Sequence, residues 1–122
     1  MIQRYTTPTI KRTNKNISIV TDEVTVQVPS EGVFLFKNQE FAFVKTLLKD
    51  NTFSDKYVIT HLKSGLGFKT SSITLSGSLK EFLDKCYEVE CQGTRLEIFF
   101  NRLPLLPKKY DTWVLSVGAL LF

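Results

Sequence analysis

Five apolar side chains, Leu79, Phe82, Leu83, Cys86 and Tyr87, recur at the i, i+3, i+4, i+7, i+8 spacing of a single helix face. They start inside Ser78-Leu79-Lys80-Glu81, an S-x-x-E box in which serine and glutamate satisfy each other's orphan backbone donors at a helix start. The spacing predicts one amphipathic helix of about three turns over 79–87, with its acidic side in water. Much of the remaining chain alternates. Residues 17–20 and Val24-Thr25-Val26-Gln27-Val28 carry the period of two that marks half-buried strands. One helix among strands must bury its apolar stripe on a sheet, which makes the expected class α+β.

The strands can be placed coarsely. Residues 1–16 form a basic N-terminal arm or edge strand, because Pro8 cannot donate to a central ladder. Pro29-Ser30-Glu31-Gly32 is a turn, and Val33-Phe34-Leu35-Phe36 follows as a strand. Segment 38–50 fits both periods; its aromatic and β-branched content favours a strand paired with 33–36. Residues 57–70 make a hairpin about Ser64-Gly65, pairing Lys63 with Leu66, His61 with Phe68 and Ile59 with Thr70. Apolar groups on both faces of this hairpin predict a central position in the sheet. Leu96-Glu97-Ile98-Phe99-Phe100 and residues 112–121 read as further strands, with Leu103-Pro104-Leu105-Leu106-Pro107 extended between them. No repeat or linker divides the 122 residues, so a single domain over 1–122 is expected, with an antiparallel sheet of six to eight strands and one helix packed on it.

Charge gives the first functional hint. Sixteen Lys and Arg against twelve Asp and Glu leave +4, a balance that attracts polyanions. Residues 1–21 hold Arg4, Lys11, Arg12 and Lys15 and no acid. Residues 37–69 hold Lys37, Lys45, Lys49, Lys56, Lys63 and Lys69 against Glu40, Asp50 and Asp55, whereas 79–90 is acidic through Glu81, Asp84, Glu88 and Glu90. Folding could therefore separate a basic side from an acidic one.

Catalytic chemistry has little to draw on. His61 is the one histidine, so it is the one side chain whose ordinary pKa suits acid–base work near neutrality. Cys86 and Cys91 stand five apart; with His61 they are too few for a closed zinc site. Gly65-Leu66-Gly67 lies in a hairpin and opens no helix, so it fails as a phosphate loop. No enzyme, metal or cofactor is expected.

Binding is the better expectation. A sheet face bearing aromatics beside lysines can stack bases and neutralise phosphates. Tyr57, His61 and Phe68, with Lys45, Lys56, Lys63 and Lys69 near them and Arg4, Lys11, Arg12 and Lys15 as an arm, are the candidates for holding single-stranded nucleic acid. The same aromatics become core if helix 79–87 covers their side, since ten Phe must mostly go inside. The second expectation, a protein-interaction or self-assembly module, rests on the apolar end of the chain. An exposed strand carrying Trp113, Val114, Leu115, Leu120, Leu121 and Phe122 would template association, so it must pair within the fold or with another subunit. Apolar runs fall far short of the roughly 20 residues that span a bilayer. The start Met1-Ile2-Gln3-Arg4 lacks an apolar signal core, which makes the expected compartment cytoplasmic and reducing.

Overall fold

The β-rich half of the chain folds around two rows of phenylalanine. The computed structural model of the protein describes residues 5–20, 25–48, 50 and 52–103. Among them run strands β1 (Lys11–Arg12), β2 (Asn16–Val20), β3 (Thr25–Pro29), β4 (Gly32–Phe36), β5 (Gln39–Leu47), β6 (Phe53–His61) and β7 (Gly67–Lys69), then helices α1 (Leu75–Cys91) and α2 (Leu96–Asn101). The strands form a five-stranded sheet, ordered β1-β4-β5-β6-β7, and a two-stranded sheet of β2 and β3. Every pairing is antiparallel. The fold is α+β, with the seven strands divided five and two instead of forming one sheet.

β4 and β5 join through a two-residue turn, Lys37-Asn38, whose φ angles of 52° and 62° are those of the primed hairpin turn that matches strand twist. The resulting register sets Phe34 opposite Phe41 and Gly32 opposite Phe43. β6 continues the row by placing His61 against Phe41 and Ile59 against Phe43, and β7 adds Phe68 opposite Ile59. α1 lies on this face and buries Leu79, Phe82 and Cys86 in it. The Phe82 ring is the hub, with its centroid 5.0 Å from Phe41, 5.8 Å from Phe36 and 5.9 Å from both Phe34 and Phe68.

β1 and β2 run as one ribbon with β4 and β3. Beyond Arg12 opposite Gly32, Thr13 N–H reaches the Glu31 carbonyl (3.3 Å) and Ser30 N–H the Lys15 carbonyl (2.9 Å), and pairing resumes with Asn16 opposite Pro29. Four residues are stepped on one strand against three on the other, the one-residue excess of a β-bulge, which bends and twists the ribbon. Its far end packs Ile17, Ile19, Val26 and Val28 against Val44 and Val58. These two valines stand on the face of the sheet opposite α1, so the chain's own ribbon covers the middle of that face. β5 is therefore a strand buried on both sides, which is why segment 38–50 carried no clean alternation.

Three local expectations are corrected. Residues 96–100 are helix instead of strand: Leu96 and Phe100 are both 1% exposed at i, i+4 spacing, while Glu97 and Ile98 face water. A five-residue apolar run fits either structure, and here the helical spacing wins. α1 starts a turn earlier than the Ser78 box, because Thr74 caps it by accepting the Gly77 N–H at 3.1 Å. Ser78 instead shares a 2.8 Å hydrogen bond with the Thr70 hydroxyl, and Glu81 accepts from the Ser71 N–H. Gly77 leaves room for the cap, since a Cβ there would meet Ser72 Oγ at 2.2 Å. The 57–70 hairpin pairs two residues away from the expected register, Ile59 facing Phe68, because residues 62–66 form a longer turn. Among the described strands β7 is the edge of the sheet, so only β6 takes the expected interior place.

Candidate functional site

The β6–β7 turn holds the most concentrated polar chemistry in the described residues. His61 is 1% exposed, Ser64 2% and Gln39 4%. His61 Nδ1 lies 2.8 Å from Ser64 Oγ and Nε2 lies 2.7 Å from Gln39 Oε1. Gln39 Nε2 donates to Asn101 Oδ1 at 3.0 Å, which turns its oxygen toward the imidazole. The imidazole therefore donates from Nε2 and accepts the Ser64 hydroxyl at Nδ1. The ring stacks on Phe100 at 5.7 Å and tilts over Phe41 at 5.3 Å. Burial, helped by the Lys63 charge, pushes its pKa down to about 4, so the ring is neutral at physiological pH. Ser64 Oγ also accepts the Leu66 N–H at 3.2 Å. The group resembles a nucleophile–base pair in composition, but each atom is engaged in stapling the turn to β5 and α2.

The structure separates the other candidates. Tyr57 is a core residue beneath α1, His61 is buried against Phe100 of α2, and Phe68 packs on Phe82, so the expected exposed aromatic platform is corrected: these rings fill the helix-covered face. Most of the ten phenylalanines had to go inside, and Phe82 draws the hairpin face to itself. Tyr57 donates to Glu31 Oε1 at 2.6 Å, and burial together with that carboxylate pushes its phenol up to about 12. Lys45 sits on the same face, 5.9 Å from the Tyr57 ring and 4.0 Å from Glu31.

Lys56 and Lys69 fall on the opposite face with Val58, since Lys69 is directly across from Val58 and Lys56 is two residues before it. Lys11, opposite Val33, shares that face at the other edge, Arg12 joins the α1 side, and Lys15 lies at the ribbon's bend. Lys63 is exposed in the turn. Arg4, Trp113, Val114, Leu115, Leu120, Leu121 and Phe122 lie outside the described residues. Cys86 is buried, its thiol pushed well up by burial and by Glu90, and Cys91 is exposed. Among the described residues no three His, Cys, Asp or Glu side chains gather to hold a metal, and no helix is long and apolar enough to cross a membrane.

One cluster had no counterpart in the sequence reading. Glu90 accepts from the Tyr5 hydroxyl and lies 3.7 Å from Lys37 Nζ, which rests 5.3 Å from the Tyr5 ring and 5.8 Å from that of Phe36. It pins the N-terminal segment to α1 through the β4–β5 turn. Lys-Asn between two aromatic-rich, strand-forming runs was the available signal. Beside it, Glu90, Thr94, Arg95 and Glu97 line an open cleft of about 230 Å³ where α1 meets α2.

Comparison with protein-family models, with curated proteins and with solved structures found no match to this chain.

Proposed function

We propose that the protein is a non-enzymatic module that binds nucleic acid through the phosphate backbone, using the lysines of the face opposite α1 and of the β6–β7 turn. The supporting observation is an asymmetry in charge pairing. Lys37, Lys45, Lys80 and Lys85 each have a carboxylate partner, Glu90, Glu31, Asp84 and Glu88 respectively. Lys11, Lys15, Lys56, Lys63 and Lys69 are exposed and have no ion-pair partner among the described residues. A phosphate at these lysines displaces no carboxylate. With Tyr57 and His61 buried and Phe68 half-buried against Phe82, affinity comes from counterion release, and base identity contributes little.

A fluorescence-anisotropy titration with labelled oligodeoxythymidine tests this. Each phosphate neutralised on a single strand adds about −0.7 to the slope of log K against log salt. The variant Lys56→Gln/Lys63→Gln/Lys69→Gln should flatten the slope by about 2. Binding that is absent at low salt, or unchanged in this variant, removes the reading. Self-association through residues 113–122 is the alternative, and the protein's mass in solution separates it from the first.

A further inference from the structure

We infer that His61 is an acid-sensitive latch that holds α2 on the sheet. The closed arrangement fits only the neutral ring. A second proton, added at Nδ1, aims two donors, Nδ1–H and the Leu66 N–H, at Ser64 Oγ. The serine hydrogen must then turn away into a site where Ser64 is 2% exposed. The imidazolium would also sit between the Phe41 and Phe100 rings with the Lys63 charge nearby. From β5 it meets Phe41 and Gln39, from α2 Phe100, and from the turn Ser64; none of these is ionisable, and among the described residues no carboxylate compensates.

The element that gives way is set by what each holds. β6 is laddered to β5 from His61 to Phe53, and α1 has 17 residues with a side-chain cap at Thr74. α2 has six residues, and its N-cap Arg95 makes no side-chain cap bond. It is held by buried Leu96 and Phe100 and by the Asn101–Gln39 bond. Local opening draws on the least secured element. Lifting α2 removes the Phe100 ring from His61 and lets water reach the imidazole. Because the ring binds its proton more readily when open, acid favours the open form, by up to tenfold per pH unit between about 6.5 and about 4.

Hydrogen exchange read by mass spectrometry on the full chain tests this, at about pH 7 and pH 4.5 and corrected for intrinsic rates. Peptides over α2 should lose protection by at least tenfold in acid while those over α1 keep theirs. In His61→Gln, α2 protection should become independent of pH. Asn101→Ala should lower α2 protection at both pH values and retain the acid dependence, which keeps the test in force should His61→Gln fail to fold. Acid loss that persists in His61→Gln, a pH-independent α2 in Asn101→Ala, or joint loss over α1 and α2 would each overturn the latch. So would an imidazole resonance titrating near its ordinary value in the folded protein.

Discussion

β5 is covered on its two faces by different means. Toward α1 it presents Phe41 and Phe43, and toward the ribbon Ala42 and Val44, all four 0–1% exposed. Beneath α1 the space is filled by large rings centred on Phe82; the ribbon packs as a second β layer and is met by β-branched side chains. Charge divides along the same line. Lysines on the helix side carry carboxylate partners, while Lys11, Lys56 and Lys69 on the ribbon side have none among the described residues. One face is closed by volume and ion pairs; the other keeps cations available around a smaller apolar seam.

The comparison breaks most easily at its hub. Phe82→Ala should cost about 3–5 kcal/mol, since four rings lose a common neighbour and the cavity cannot collapse readily. Val58→Ala, the matching cut on the ribbon side, should cost about 1–3 kcal/mol. Urea midpoints of the two variants measure both, and equal losses would mean that the two layers contribute alike.

Acid probes the helix side through His61. The folded pKa of His61 lies below its unfolded value, so its contribution is complete above about pH 6.5 and declines as pH falls, levelling off below about 4. The full loss is about 3 kcal/mol. Denaturant melts between pH 7 and pH 4 should show this decline in the wild type and a flatter profile in His61→Gln, once carboxylate titration common to both is subtracted. The ribbon-side counterpart is binding. Lys56→Gln/Lys63→Gln/Lys69→Gln should weaken oligonucleotide affinity roughly tenfold or more at low salt and leave the urea midpoint within about 0.5 kcal/mol, because exposed lysines without partners add little to folding. A midpoint shift as large as that of Val58→Ala would place these lysines in the fold itself.

Much of this architecture was legible in the residues. Leu79, Phe82 and Cys86 announce the inward stripe of α1, and the alternation around Val26 and Val28 announces a one-sided ribbon. What stayed hidden is long-range. Whether Tyr57, Ile59 and Phe68 meet water or a helix depends on which side α1 takes, and strand periodicity is the same for both. The bulge between Arg12 and Asn16 has no composition cue, so the folding of β2 and β3 over Val44 and Val58 could not be read locally. Ser78 and Glu81 formed a plausible cap, but Thr70 and Ser71, just ahead of the true helix start at Leu75, recruit them instead. At the candidate site the residue types were visible, whereas the bond from Gln39 to Asn101 spans 62 positions and is known only from the fold.

The smallest effect expected is at the turn joining the two rows of phenylalanine. Lys37 and Asn38 both hold positive φ, where a Cβ is disfavoured and glycine is not. Lys37 is held there by Glu90 and two rings, but Asn38 is exposed and among the described residues makes no side-chain hydrogen bond. Asn38→Gly should therefore stabilise the protein by up to about 0.5 kcal/mol, the relief of a left-handed asparagine set against the greater freedom of glycine in the unfolded chain. Lys37→Gly gains more backbone relief but gives up the Glu90 pair and the packing of its stem on Tyr5 and Phe36, so its net effect should be destabilising. Thermal midpoints of the two variants decide the matter: if Lys37→Gly proves the more stable, the Tyr5–Glu90–Lys37 cluster contributes less than the strain it holds in place.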